Sequence, residues 1–113
     1  MFTALLKGTE NGLFDIYYIK REGMKLVFKT NSDTFEAYSS FNKLSNKLPD
    51  NFVRCHKSYI ANVDNISHVE SNTNTLFFDN SSKCYIGPKY KNNFMEVINN
   101  GIYADNLDSS INA

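Results

Sequence analysis

The chain has 113 residues, enough for one domain with its own hydrophobic core and too few for two. Twelve basic and twelve acidic side chains give zero formal net charge, which argues against a uniformly basic protein that binds nucleic acid in bulk. Two cysteines, no signal peptide and no apolar run of membrane-spanning length predict a reducing cytoplasm, and such scattered His and Cys residues predict no metal site.

The first elements show a period of two, the pattern of half-buried strands. Strands are predicted over 13–19, 24–29 and 34–38. Turns are predicted between them at 21–23 and 31–33, where Gly, Asn, Asp and Ser tolerate tight backbone geometry. The N-terminal half therefore predicts three strands separated by tight turns.

A short helix with a serine cap, Ser39 or Ser40, is predicted next. One face of this helix would carry Phe41, Leu44 and Leu48, before Pro49 ends it. Three later strands are predicted over 65–70, 74–79 and 82–86, and a terminal helix over 91–98. Residues 102–113 are acidic, polar and without periodicity, which predicts a flexible tail after a domain spanning residues 1–101.

The segment 52–62, FVRCHKSYIAN, departs from simple alternation. In an extended segment Arg54, His56 and Ser58 would share one face with Phe52, and neither face would be cleanly apolar. We therefore predict that the segment leaves the core partway and exposes its cationic middle near a loop. Breaches of pattern of this kind occur at functional sites.

At these residues the chain resembles the LytTR family, a non-helical DNA-binding domain at the C-terminus of many bacterial response regulators. The family pattern is roughly Phe-x-Arg-x-His-(Arg, Lys or Asn)-Ser-aromatic-aliphatic-(Val or Ala)-Asn. It is matched by Phe52, Arg54, His56, Lys57, Ser58, Tyr59, Ile60, Ala61 and Asn62. The resemblance covers residues 13–99 and implies a mainly β fold of ten mostly antiparallel strands with one or two short helices.

The resemblance also implies a function and its partners. It implies a transcriptional regulator that binds specific double-stranded DNA through loops in the major groove, as the effector domain of a two-component response regulator. Its partners would be promoter direct repeats and, in a full-length protein, a receiver domain and a histidine kinase upstream. No membrane partner is predicted.

Within the central motif, the resemblance places Lys57 where the family donates hydrogen bonds to base edges. Ser58 could bind phosphate through its hydroxyl or its backbone amide. Arg54 and His56 carry two interpretations. Either they contact the DNA backbone, or Arg54 makes an internal ion pair while a hydrogen-bonded His56 holds the loop.

Two flanking stretches complete the predicted interface. In 21–25 the family's base contact aligns with Met24 or Lys25, and we choose Lys25. In 87–92 the resemblance assigns a base contact to Lys89, within an acid-free region of the chain. Further donors in this loop are Tyr90, Lys91 and Asn92. The alternative for this loop is a solvated turn with ordinary surface lysines.

Cys55 and Cys84 fall where the accessory-gene-regulator branch of the family carries cysteines. They are interpreted either as two small buried thiols or as a redox pair. The redox interpretation rests on the cations beside Cys55, which would favour a thiolate. A disulfide would require close approach of the strand predicted over 82–86.

Two other classes of function fit parts of the sequence. An enzyme would use Cys55 as a nucleophile with His56 or His68 as its base, but adjacent strand residues point apart and no oxyanion motif is present. No catalytic activity and no cofactor are therefore predicted. A protein-interaction module without DNA binding would use a surface of exposed aromatic side chains, namely Tyr17, Tyr18, Tyr38 and Tyr59.

Overall fold

The computed structural model describes residues 16–100. Its strands are β1 (Ile16–Glu22), β2 (Lys25–Thr30), β3 (Thr34–Tyr38), β4 (Phe52–His56), β5 (Tyr59–Asn62), β6 (Ile66–Glu70), β7 (Thr75–Phe78) and β8 (Lys83–Tyr85). The helices are α1 (Phe41–Ser45) and α2 (Lys91–Asn100), and two 3-10 turns cover Val63–Asn65 and Asp79–Ser81. Five strands form one antiparallel sheet in the order β3-β2-β1-β5-β4, and three form another in the order β6-β7-β8.

This architecture confirms the predicted class, a mainly β fold with antiparallel sheets and short helices. The described range carries eight strands, whereas the resemblance implies ten. The start of the strand predicted over 13–19 lies outside the described residues, as do the domain end at residue 101 and the tail predicted over 102–113. Between residues 16 and 100 no helix is long and apolar enough to cross a membrane.

The five-stranded sheet is buried on both faces, which explains why its central strands are apolar on both sides. On one face α1 inserts Phe41 and Leu44 into a cluster of strand residues that includes Leu26, Phe28 and Ile60. The other face is covered by the three-stranded sheet and α2. Residues of that second cluster include Ala61, Leu76, Phe78, Phe94 and Ile98.

A β-bulge explains the unbroken apolar start of β1. The pairing of β1 with β2 shifts register between Ile16 and Tyr18. Ile16 and Ile19 consequently both enter the cluster beneath α1, while Tyr17 and Tyr18 pack toward the three-stranded sheet. Strict alternation would send two residues three positions apart to opposite faces, so the bulge is what allows this arrangement.

Helix α1 is shorter than predicted. Its cap is Ser40, whose Oγ accepts a hydrogen bond from the Lys43 amide at 3.3 Å. The helix ends at Ser45 and does not run on to Pro49. Leu48 therefore reaches the core from the following turn, where it is half-buried against the same cluster as the helix.

Candidate nucleic-acid interface

The centre of the predicted motif forms a tight hairpin turn. Strand pairing continues to His56 opposite Tyr59, so β4 and β5 are joined by Lys57 and Ser58 alone, which we call the central turn. Lys57 is exposed, and its ammonium has no hydrogen bond or ion pair to any residue between 16 and 100. The central turn therefore projects an unpaired cation from the end of the sheet.

The Arg54 side chain donates two hydrogen bonds to backbone carbonyls at the central turn. Its Nε donates to the His56 carbonyl at 2.8 Å, and its Nη2 donates to the Lys57 carbonyl at 2.7 Å. The guanidinium also lies over the Phe41 ring, 4.6 Å from the centroid, and near the Tyr90 ring at 5.3 Å. Among residues 16–100 Arg54 makes no ion pair, and its partners there are carbonyl oxygens and aromatic faces.

His56 binds the central turn from the other side. A second bulge, between Arg54 and His56, sets its ring against Tyr59, with centroids 5.2 Å apart. The prediction that Arg54 and His56 share one face is therefore wrong, because the bulge interrupts alternation between them. His56 Nδ1 accepts a hydrogen bond from the Ser58 amide at 3.0 Å, which requires an unprotonated Nδ1.

This bond predicts a pH dependence of folding stability. Burial, and then the charges of Lys57 and Arg54, lower the pKa of His56 from its ordinary value of 6.5. As the pH falls below 6.5 the unfolded chain binds a proton first, so the free energy of unfolding decreases until the folded-state pKa is reached. Urea unfolding at pH 7.5 and pH 5.5 measures this loss.

The variant His56→Asn isolates the effect, because an amide oxygen can replace Nδ1 as acceptor without titrating. We expect it to remove the part of the pH dependence that arises below 6.5, while His68→Asn retains that part. Equal pH dependence in wild type and His56→Asn would contradict this assignment.

Ser58 joins the central turn to the preceding hairpin. Its amide is engaged by His56, so the backbone amide predicted as a phosphate donor is not available and only the hydroxyl remains. Its carbonyl accepts a hydrogen bond from the Arg21 amide at 2.8 Å. The turn between β1 and β2, Gly23 and Met24, consequently lies at the same end of the sheet.

The β1–β2 turn exposes Met24 more than Lys25. Gly23 adopts φ +64°, which favours glycine, and Met24 is 84% exposed. The Lys25 ammonium instead bonds Glu36 Oε1 at 3.0 Å across the sheet, and this hydrogen bond raises the pKa of Lys25. Lys25 would have to release that carboxylate to contact a base.

The segment 87–90, which we call the downstream loop, lies beside β4. The Gly87 amide donates to the Cys55 carbonyl at 2.8 Å. A Cβ on Gly87 would lie 3.2 Å from His56 Cδ2, tighter than ordinary van der Waals contact, so this close approach favours glycine. Sequence reasoning treated Gly87 as part of a turn and missed this contact, for which the Gly-Pro pair after a strand was the available signal.

The predicted donors of this region differ in their surroundings. Lys89 and Asn92 are exposed, and the Lys89 ammonium has no partner in the described part of the chain. Tyr90 is half-buried beside the Arg54 guanidinium. The Lys91 Nζ donates to the Ser71 carbonyl at 3.1 Å, which ties the start of α2 to the β6–β7 turn.

The two cysteines meet across the core and do not lie on paired strands. Both are free thiols with no exposed surface, and β8 pairs with β7, not with β4. Cys55 Sγ lies 3.7 Å from the Tyr59 carbonyl. Burial, followed by the hydrogen bond with Cys55, raises the pKa of Cys84 well above its ordinary value, so Cys84 stays a thiol at neutral pH.

The four tyrosines considered for a protein-interaction surface do not share an exposed face. Tyr17 is buried and stacks on Phe78 at 5.3 Å. Tyr18 and Tyr59 are half-buried and make an edge contact at 5.6 Å. Only Tyr38 of the four is exposed, so these side chains are mostly core.

The chain matches a known protein family over most of its length. A model of the LytTr DNA-binding domain family matches residues 12–99. The chain belongs to the LytTr family. It is accordingly a DNA-binding domain of the kind used in transcriptional regulation. Members of this family are generally non-enzymatic.

Relatives and a solved structure agree with this membership. Accessory gene regulator protein A of Staphylococcus aureus is 33% identical over 61 residues, which cover 54% of this chain and 25% of that protein. The transcriptional regulatory protein NatR of Bacillus subtilis is 30% identical, over 61% of this chain and 31% of its own length. A solved LytTr domain from Bacillus cereus superposes with a TM-score of 0.72 at 26% identity, over 82% of this chain and 93% of that one.

Proposed function

We propose that this LytTr domain reads double-stranded DNA sequence-specifically through three segments gathered around the central turn. The observation that carries the proposal is a pair of backbone hydrogen bonds. The bond from the Arg21 amide to the Ser58 carbonyl, at 2.8 Å, attaches the β1–β2 turn to the central turn. The bond from the Gly87 amide to the Cys55 carbonyl, also at 2.8 Å, attaches the downstream loop to β4. These two bonds bring segments that are far apart in sequence together around the central turn.

Lys57 and Lys89 are the proposed base readers. Both ammonium groups are exposed and lack internal partners between residues 16 and 100, so neither must break a bond to reach a base edge. Ser58, through its hydroxyl, and Tyr90, Lys91 and Asn92 are proposed to contact phosphate and sugar. Met24 is now a stronger candidate than Lys25 for a contact from the first turn, because Glu36 engages Lys25.

Arg54 and His56 are proposed to shape the central turn and not to read bases. The Arg54 guanidinium donates hydrogen bonds to the His56 and Lys57 carbonyls. The His56 ring accepts a hydrogen bond from the Ser58 amide. A turn fixed from both sides loses little conformational freedom when DNA binds, which favours affinity.

The wider context of the domain is also a proposal, because the chain spans about a quarter to a third of the regulators it matches. We propose that it is the effector part of a cytoplasmic two-component response regulator, with a receiver domain and a histidine kinase upstream. Paired domains would occupy direct repeats in promoters on one face of the duplex.

A catalytic role has no support from the geometry. Cys55, the only nucleophile considered, has no exposed surface, and His68 stacks on Phe77 in the other sheet with centroids 4.5 Å apart. We therefore propose a binding domain without enzymatic activity and without a cofactor.

Selection from a randomised duplex pool tests the proposal directly. The folded domain, at low salt, should enrich one motif, and its affinity should fall steeply as the salt concentration rises. A folded protein that enriches no sequence would overturn the DNA function. Binding to the enriched duplex without salt dependence would instead indicate an apolar interface.

The cysteines allow one further prediction. If peroxide couples Cys55 Sγ to Cys84 Sγ, the two thiols lose two hydrogens and peroxide is reduced to water. The backbone of Cys55 bonds the downstream loop, so such a bridge should weaken DNA binding. Mass spectrometry and affinity before and after peroxide, in wild type and Cys55→Ser, measure this. Unchanged affinity, or absence of the bridge, would leave the pair as core packing.

A further inference from the structure

A groove begins at the β1–β2 turn and extends from there to the start of α1. It measures about 390 Å³ and is open to solvent. Its lining comes from the β1–β2 turn, the end of β3 and the start of α1, and comprises Arg21, Gly23, Met24, Tyr38, Ser39, Ser40 and Lys43. Met24 and Tyr38, at 84% and 85% exposed, form its apolar walls.

The charged side chains that line this groove are both cationic. Its two ionisable cations are Arg21 and Lys43, and neither makes an ion pair with a residue between 16 and 100. The neighbouring acids are already engaged, because Glu22 pairs with Lys20 at 3.3 Å and Glu36 pairs with Lys25. The groove therefore attracts an anion without a competing carboxylate in its lining.

The groove is also continuous with the proposed reading surface. The Arg21 amide donates a hydrogen bond to the Ser58 carbonyl of the central turn. The backbone of Arg21, which lines the groove, is therefore in direct contact with that turn. The groove and the Lys57 side chain therefore lie at the same end of the sheet, within reach of one duplex.

We propose that this groove binds the DNA backbone beside the bases read by the central turn, with Arg21 and Lys43 each contacting a phosphate. Ser39 supplies an additional hydroxyl donor, whereas Ser40 Oγ is engaged in capping α1. The inference rests on the proposed DNA function and extends it to residues outside the family-like motif. These contacts position the domain and carry no sequence information.

The test is the double variant Arg21→Ala and Lys43→Ala, measured on the duplex enriched by wild type. Both residues use backbone amides for their internal bonds, and alanine keeps those amides. The plot of log affinity against log salt concentration has a negative slope, which should become shallower by about 0.9 for each lost phosphate contact. Affinity at 0.1 M salt should therefore fall roughly 10- to 100-fold. The ratio of specific to non-specific affinity should stay unchanged.

Lys47→Ala is the matched control, because Lys47 is exposed near α1 but does not line the groove. Single uncharged methylphosphonates in the duplex give a second readout. We expect methylphosphonates at two adjacent positions to weaken binding of the wild-type protein. The same substitutions should not weaken binding of the double variant any further. An unchanged salt slope in the double variant would overturn the groove proposal. Failure of wild type to bind any duplex would instead overturn the proposed function itself.

Discussion

Replacing Lys57 or Lys89 with alanine is expected to cost roughly 1 to 3 kcal/mol of binding free energy on the preferred duplex and to relax discrimination between sequences. Each ammonium is exposed and unpaired among the described residues, so its hydrogen bonds to a base edge would be net gains. Anisotropy titrations against the enriched duplex and single-base variants of it would locate the base pair that each lysine reads.

Lys91→Ala provides the contrast. Its ammonium lies at the start of α2, bonded to the Ser71 carbonyl, and is proposed to contact phosphate. All duplexes should therefore weaken about equally, and the salt slope should decrease by about one. If Lys57→Ala and Lys89→Ala leave the specificity ratio unchanged, the assignment of base readers is wrong, even if the domain binds DNA.

Replacing Asn62 with leucine is expected to lower the free energy of unfolding by about 3 kcal/mol, the largest stability effect predicted here. Asn62 is 1% exposed and ends β5. Its Nδ2 donates to the Ile16 carbonyl at 2.9 Å, and its Oδ1 accepts from Asn51 Nδ2 at 2.7 Å and from the Asp64 amide at 3.1 Å. Leucine removes all three bonds, so the Asn51 amide and the Asp64 backbone amide lose this acceptor, while the Ile16 carbonyl keeps its hydrogen bond from Asn65 Nδ2 at 3.0 Å.

The measurement is urea unfolding at neutral pH, with two controls. Asn51→Ala removes one of the three bonds and should cost about 1 kcal/mol. Asn42→Ala changes an exposed residue of α1 and should alter stability by less than about 0.5 kcal/mol. A cost for Asn62→Leu no greater than that for Asn42→Ala would show that this network does not anchor β5 to β1.

Several elements were predictable because their causes are local. The strand over 34–38 appears with the same bounds, and the strands near 24–29 and 65–70 are displaced by a residue at most. Alternating side chains and turn residues act within a few positions, so sequence spacing alone indicates them. The serine cap and buried Phe41 and Leu44 of α1 follow for the same reason.

The two bulges were not predictable from that spacing. Each bulge depends on the partner strand, since the register shift in β1 is set against β2 and the one in β4 against β5. The expectation that Arg54 and His56 share one face failed at the bulge in β4. The length of α1 was overestimated because Leu48 is buried by the tertiary core without being helical.

The class of this protein follows from its chain alone, because a motif of consecutive residues at 52–62 and a period-two pattern do not depend on packing. Which side chains remain available to a ligand depends instead on the packed fold. Glu36 engages Lys25, turn carbonyls engage Arg54, and the core encloses Cys55, whereas Lys57 stays exposed. Those outcomes depend on contacts between residues distant in sequence, and only the packed fold brings such residues together.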